Sequence, residues 1–173
     1  MLSNSRVAHQ PHDHSRCIHA ALARARVLCD ENEARLTRIR EDVFTLIWQS
    51  HRPIGAYQIQ DQLAQQWGKR VAPPTVYRAI EFLSVLNLIH RIPSLNAFIG
   101  CPFPNSAHSH LFLICENCGS VAEMSHHGVN TLLQTASEKA QFTLQSQCLE
   151  LFGLCPQCTQ NRNTGTSAGP TNA

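Results

Sequence analysis

The sequence lacks an apolar run long enough to cross a bilayer. Its longest strongly apolar stretch covers residues 43–48, whereas a spanning helix needs about 20 apolar residues. The polar N-terminus does not have the pattern of a secretory signal peptide either. We therefore expect a cytoplasmic protein with no membrane partner, in which the eight cysteines are metal ligands rather than disulfides.

Charged residues are also scarce, at 15% of the chain, while hydrophobic residues make up 43%. This composition is typical of a globular protein, and 173 residues are enough for one or two small domains. The charge is unevenly spread: residues 1–100 hold 12 Lys and Arg against 8 Asp and Glu, and the remainder holds 2 against 4. A basic first half followed by a mildly acidic second half favours a nucleic-acid binder with an appended module.

Two Cys-x-x-Cys motifs predict a structural zinc site, because four thiolates complete the tetrahedral shell that zinc prefers. The four ligands would be Cys115, Cys118, Cys155 and Cys158. Gly119 follows the first motif and allows the tight turn that aims backbone amides at the sulfurs. Two disulfides, or a redox pair in a thioredoxin-like unit, are the alternatives. Neither motif opens a helix inside a recognisable βαβ unit, which favours zinc.

Further metal-ligating residues surround the first motif. His90, Cys101, His108, His110 and Glu123 all lie within a short distance of it in the sequence. They cannot serve an ion that four cysteines already saturate. They are either surface residues or the ligands of a second metal site with nitrogen, sulfur and oxygen donors.

Apolar residues at helical spacing predict four helices in the first half of the chain. These begin at Cys17, near Thr37, at Ala56 and at Pro73. Two short strands, residues 88–92 and 97–101, follow with a turn at 93–96 between them. A hairpin after a helix-turn-helix predicts a winged-helix domain.

The fourth helix has the layout of a DNA-recognition helix. Its first turn contains Pro73, which suits a position whose backbone N–H would be unsatisfied anyway. Val76 and the apolar residues in register with it face the core, whereas Tyr77 and Arg78 point outward. An ordinary solvated helix face is the alternative interpretation.

The second half predicts a smaller α/β unit between two polar tails. Strands are expected at residues 111–114, 121–123 and 142–154, with an amphipathic helix from Val129 to Ala140. Residues 1–16 and 159–173 are predicted to be disordered. The histidines of the first tail, His9, His12 and His14, could alternatively bind metal.

Together these motifs resemble the ferric uptake regulator family. They comprise the run from Pro74 to Arg78, a wing that ends in Cys101, His-x-His before Cys-x-x-Cys-Gly, and the final Cys-Pro-x-Cys. The resemblance covers residues 17–158 and is strongest to the branch that senses zinc. It implies an α+β fold with a winged-helix DNA-binding domain at 17–101 and a zinc-stapled α/β dimerisation domain at 102–158.

The resemblance also implies a function: a bacterial homodimeric repressor that binds palindromic operators of zinc-uptake genes when zinc-loaded. Two zinc ions per chain are implied. Position by position, Cys115, Cys118, Cys155 and Cys158 match the family's structural site, and His90, Cys101, His108 and Glu123 match its regulatory site. His110 could replace His108 or serve a further site. DNA contacts are implied for Tyr57, Thr75, Tyr77 and Arg78.

Rival functions fit the sequence less well. A zinc hydrolase or deaminase would need an open coordination position, and the chain has no His-Glu-x-x-His motif. A small-molecule substrate is therefore not expected. A zinc buffer without operator binding would not need the outward Tyr77 and Arg78. Sensing of iron, manganese or peroxide is the nearest alternative, although Cys101 as a thiolate ligand disfavours manganese.

Overall fold

The computed structural model describes residues 14–104, 110–124 and 126–163, which fall into two compact units. The first unit contains the helices and a hairpin, and the second contains a small sheet. The predicted α+β class, with a helical N-terminal part followed by a sheet, is confirmed. No described helix is long and apolar enough to cross a membrane.

Four helices build the first unit. They are α1 (His14–Glu31), α2 (Arg38–Trp48), α3 (Ala56–Trp67) and α4 (Pro73–Val85). α1 begins ahead of the predicted start at Cys17, so the tail predicted for residues 1–16 extends too far by three residues. The ends of α3 and α4 follow from local chemistry. Gly68 ends α3 in the left-handed conformation at φ +63°, which glycine adopts without a Cβ clash, and Pro73 occupies the first turn of α4.

The core of the first unit lies among these helices. Val43, Phe44 and Ile47 of α2 are almost fully buried between the apolar faces of the other three helices. The remaining members with 2% exposure or less are Ala21, Ala25, Ile59, Leu63, Val76, Ala79, Leu83, Leu88 and Ile89. Helical spacing predicted that Val76 and the residues in register with it are buried, because a residue every three or four positions returns to one face.

A β-hairpin completes the first unit. Strands β1 (Ile89–Ile92) and β2 (Ala97–Gly100) pair antiparallel, and a 3-10 helix over Pro93–Leu95 replaces the simple turn predicted there. Ile54, just before α3, forms a further bridge with Phe98 through two hydrogen bonds of 3.0 and 2.9 Å. The hairpin is thereby attached along one edge to the helical core.

The second unit is a three-stranded sheet with two helices. Its strands are β3 (His110–Cys115), β4 (Val121–Met124) and β5 (Cys148–Gly153), in the order β4-β3-β5, with β3–β4 antiparallel and β3–β5 parallel. A parallel pair needs a long crossover, and α5 (His127–Lys139) lies within that connection. α6 (Pro156–Asn163) follows β5.

Two predictions for this unit are wrong in extent. The strand predicted over 142–154 is limited to β5, because residues 142–147 pair with no strand in the described part of the chain. The tail predicted to be disordered from Thr159 is helical through Asn163, since Thr159 N–H bonds to Cys155 O at 2.9 Å and continues α6. Local composition predicts neither where β5 pairs with β3 nor that α6 extends to Asn163.

Substitutions in α4 test the placement of the core. Leu83 is fully buried, whereas Val85 two residues later is 75% exposed. We expect Leu83→Ala to destabilise the first unit by about 2–5 kcal/mol, through lost burial and a cavity, and Val85→Ala to stay within about 0.5 kcal/mol. Urea unfolding followed by tryptophan fluorescence measures this unit alone, because both tryptophans, Trp48 and Trp67, lie in it. Equal effects of the two substitutions would contradict this core.

Candidate metal centres and DNA interface

Four cysteines of the second unit converge at the C-terminal ends of the parallel strands β3 and β5. Cys115 ends β3 and Cys118 lies in the following turn, while Cys155 and Cys158 lie at the start of α6. Their four sulfurs lie within 4.8 Å of one another. Cys115, Cys155 and Cys158 are buried and Cys118 is half-buried.

Backbone hydrogen bonds shape the first knuckle. Gly119 N–H bonds to Cys115 O at 2.9 Å, and Gly119 holds the φ of +70° that this turn requires. Cys115 N–H in turn bonds to Ser120 O at 2.9 Å. The chain therefore reverses within the motif, and both sulfurs face the same side.

The parallel strands align the second knuckle with the first. Cys115 is in register with Gly153, and Glu116 N–H bonds to Gly153 O at 2.9 Å. Two residues further on, Cys155 N–H donates to the sulfur of Cys115 at 3.3 Å. The strand ladder thus continues directly into the sulfur cluster.

The sulfur spacing fits a tetrahedral ion and not a disulfide. The sulfurs of Cys118 and Cys155 are 3.8 Å apart. Zn–S bonds of about 2.3 Å at tetrahedral angles place two sulfurs about 3.8 Å apart, whereas a disulfide bond is about 2.0 Å long. All eight cysteines, each in the described part of the chain, are free thiols. This arrangement favours the zinc site over the disulfide alternative.

Two polar side chains bond to sulfurs of the cluster, and neither was predicted. Asn117 Nδ2 donates to the sulfur of Cys158 at 3.2 Å, and Ser120 Oγ lies 3.0 Å from the sulfur of Cys118. Such outer bonds orient the ligands of a metal and offset their negative charge. The sequence shows only that both residues are short polar side chains inside or beside the first motif, and their bonds to sulfur depend on the assembled cluster.

The cluster also perturbs its own thiols. Burial raises the pKa of Cys115, but backbone N–H groups of Cys118, Cys155 and Asn117 stabilise its thiolate and bring the pKa down to about 6. Burial raises the pKa of Cys155 to about 12, and hydrogen bonds from neighbouring cysteines contribute. The Cys115 thiolate therefore forms readily, whereas the raised pKa of Cys155 opposes ionisation there, so a bound cation would favour the full four-thiolate set.

The first unit contains a second pair of metal-ligating side chains. In the hairpin His90 opposes Ile99, so His90 and Cys101 share one face of the ladder as diagonal neighbours. A ring nitrogen of His90 lies within 4.8 Å of the sulfur of Cys101. Both residues are buried, at 7% and 2% exposure, and Phe103 N–H donates to the sulfur at 3.3 Å.

The other predicted regulatory ligands belong to the second unit or lie outside the described residues. Glu123 is in β4 opposite Phe112, and the residue is 7% exposed. Burial of a carboxylate is costly unless a cation or hydrogen bonds compensate it. His108 lies outside the described residues, and His110 begins β3 with a side chain that is likewise outside them. His9 and His12 also lie outside.

The predicted DNA-contacting residues lie on the exposed side of two helices in the first unit. Thr75, Tyr77 and Arg78 are exposed in the first turns of α4, opposite its buried face. Tyr57 is 72% exposed in the first turn of α3. Large exposed aromatic side chains beside an exposed arginine suit base and backbone contacts in a groove.

Comparison with known proteins identifies the family. The sequence profile described as the ferric uptake regulator family matches residues 31–152. The chain belongs to the ferric uptake regulator family. Because members of this family regulate transcription, this member is not an enzyme.

Several of the relatives are zinc uptake regulators by name. The zinc uptake regulation protein of Escherichia coli K12 is 34% identical over 140 residues, which cover 80% of this chain and 81% of that protein. A solved zinc uptake regulator complexed with zinc and DNA is 31% identical, with a TM-score of 0.78 over 84% of this chain and 97% of that one. The crystal structure of holo XcZur is 39% identical, with a TM-score of 0.74 over 83% and 99% of the two chains.

Loss of one cluster cysteine tests the role of the four sulfurs. We expect Cys118→Ser to lose zinc from the cluster and to unfold much of the second unit, since structural zinc contributes on the order of 10–16 kcal/mol in small domains. Elemental analysis and circular dichroism measure both effects. Cys148→Ser is the matched control, because Cys148 is exposed and lies outside the cluster. A Cys118→Ser protein that is fully folded without that zinc would contradict a structural role.

Proposed function

We propose that this family member is a zinc-responsive repressor, which binds palindromic operators of zinc-uptake genes as a dimer when zinc-loaded. The observation that carries the proposal is the buried His90–Cys101 pair in addition to the four-sulfur cluster. A protein that uses zinc only for stability needs one closed four-cysteine site. A second set of buried nitrogen and sulfur donors fits a second, regulatory ion.

Two zinc ions per chain follow from the two donor sets. Cys115, Cys118, Cys155 and Cys158 form the structural site. His90, Cys101, His108 and Glu123 form the regulatory site, with His110 as a possible substitute for His108. Two imidazoles, one thiolate and one carboxylate suit four-coordinate Zn²⁺, whereas iron or manganese would favour more oxygen ligands. For the same reason, zinc fits this regulatory site better than the metals bound by relatives that sense iron or peroxide.

The regulatory ligands also suggest how zinc could control DNA affinity. His90 and Cys101 belong to the first unit, and His108 and Glu123 follow them in the chain beyond the hairpin. Coordination by all four residues would restrain the first unit relative to the second. If that restrained state binds DNA better, zinc and DNA strengthen each other's binding by the same factor.

Exposed apolar side chains in the second unit support a homodimer. β5 is an edge strand of its sheet, and Leu151 and Phe152 on it are 49% and 52% exposed. Leu132 of α5 and Phe142 are exposed to 69% and 65%. An edge strand with apolar side chains is a ready template for pairing with another chain. We propose that residues 102–158 are the dimerisation domain and that a second copy covers these side chains.

The dimer would place two recognition helices on one DNA molecule. A two-fold axis matches a palindromic operator with half-sites about one helical turn, roughly 34–36 Å, apart. α4 would enter the major groove of each half-site through Thr75, Tyr77 and Arg78, with Tyr57 beside it. Residues 17–101 would then be the DNA-binding domain.

Replacement of Arg78 tests sequence reading. If Arg78 contacts a guanine edge, Arg78→Ala should cost about 1–3 kcal/mol on the specific operator and relax the preference at one symmetric pair of bases. Fluorescence anisotropy on operator and random duplexes at fixed salt measures both. Lys69→Gln is the control, because Lys69 would contact only DNA phosphates. Loss of such a contact should weaken binding to all sequences alike and reduce its salt dependence. Equal weakening of operator and random DNA by Arg78→Ala would exclude base reading by this residue.

Removal of the Cys101 thiolate separates sensing from stability. Cys101→Ser leaves the four-cysteine cluster intact, so we expect a folded dimer that retains one zinc per chain. Its operator affinity should no longer rise with zinc, because the remaining ligands bind the ion too weakly to bias the two units. Anisotropy on an operator fragment with buffered free zinc gives the comparison with the unmodified protein. An unchanged zinc-dependence curve for Cys101→Ser would place the regulatory metal elsewhere.

A further inference from the structure

One aromatic ring of the first unit packs directly on the backbone of the hairpin. Trp48 ends α2, and Gly100 ends β2. A Cβ placed on Gly100 would overlap Cε2 and Nε1 of the Trp48 indole and would lie 2.7 Å from Cδ2. The indole therefore occupies the space of a side chain at position 100, and only glycine fits beneath it.

The need for glycine at this position is steric. Among the described glycines with a left-handed backbone are Gly68 and Gly119, whereas Gly100 does not have a positive φ. Alanine at position 100 would therefore adopt the same backbone conformation without strain, apart from the indole. The contact with Trp48 is the feature that excludes a Cβ.

The Trp48 ring itself is held firmly by packing. It is 8% exposed within the helical core, and its centroid lies 6.0 Å from that of Phe44 at an interplanar angle of 55°. Its Nε1 is buried, and no described residue accepts a hydrogen bond from it. Because no described polar group anchors the ring, packing is what holds its position among these residues.

Both hairpin ligands lie next to this contact in the chain. Gly100 directly precedes Cys101, and its register partner Ile89 directly precedes His90. Cys101 N–H bonds to Leu88 O at 3.0 Å, which locks the two strands at this point. Side chains alternate along a strand, so the indole supports one face of the hairpin while His90 and Cys101 occupy the other. A displacement of the Ile89–Gly100 pair would move both ligands.

We propose that Trp48, seated on Gly100, is a positioning residue that sets the spacing of His90 and Cys101 and thereby the affinity of the exchangeable zinc site. This inference rests on the proposed regulatory site. Supporting residues of metal sites commonly change metal affinity by about 10–100-fold. Through this contact the helical core would influence the zinc affinity by packing alone, without a polar group that touches the metal ligands.

A double-mutant cycle tests the contact. Gly100→Ala should weaken the exchangeable zinc by about 10–100-fold, because the new methyl group pushes the hairpin off the indole. Trp48→Leu should also weaken it, since the hairpin loses its support. In the Trp48→Leu protein, however, Gly100→Ala should have little further effect, because the ring it would strike is gone. Competition against a zinc chelator measures the affinity, and the four-cysteine zinc should remain in every variant.

Cobalt substitution adds a readout that a general loss of stability would not produce. The thiolate-to-cobalt absorption of the Cys101 site should weaken in Gly100→Ala and in Trp48→Leu. It should be no weaker in the double variant than in Trp48→Leu, even though the double variant is the less stable protein. Gly55→Ala is the matched control, because a Cβ at Gly55 meets Gln58 at an ordinary 3.6 Å. It should leave zinc affinity unchanged.

The outcomes distinguish this inference from the regulatory site itself. If Cys101→Ser retains the exchangeable zinc, the proposed site is wrong. If Cys101→Ser loses it but Gly100→Ala leaves it unchanged, or the effects of Gly100→Ala and Trp48→Leu simply multiply, the positioning role is overturned. Should Gly100→Ala fail to fold, Trp48→Phe keeps an aromatic ring but removes part of the support. Unchanged zinc affinity in that variant would also overturn the proposal.

Discussion

The parallel pairing of β3 with β5 is the constraint on which the second unit depends. It places Gly153 beside Cys115 and so delivers the second cysteine pair to the first, after a connection of more than thirty residues that includes α5. α5 has no buried residue of its own. Burial of apolar residues in this unit therefore contributes little stability from α5, and a zinc ion bound by the sulfur cluster would add stability to the unit.

In the first unit, the two faces of the β1–β2 hairpin have different surroundings. One face, which includes Ile89 and Phe98, packs on the helical core, and Trp48 covers Gly100 there. The other face holds His90 and Cys101, both buried. The same helical core also buries one side of α4 and leaves Tyr77 and Arg78 exposed. The proposed metal ligands His90 and Cys101 and the proposed DNA-contacting residues are therefore supported by one packed set of helices, which would be a physical basis for coupling between them.

The sequence by itself determined the helices and most of the metal chemistry. Apolar spacing located four helices and their buried faces, because helix periodicity is a local property. The two Cys-x-x-Cys motifs indicated zinc before any contact was known, because few other sites need four thiolates at this spacing. Tyr77 and Arg78 were predicted on the outward side of α4 for the same local reason. The residues of the regulatory site came from the family resemblance, and that set stays a proposal.

Tertiary structure decided what depends on contacts between distant segments. β5 is shorter than composition suggested, because a strand exists only where a partner strand accepts its hydrogen bonds. Asn117 and Ser120 became visible as partners of sulfurs only when the cluster was assembled. The requirement for glycine at position 100 arises from an indole more than fifty residues earlier in the chain. Local sequence cannot encode such steric fits, since they depend on how helices and strands pack against each other.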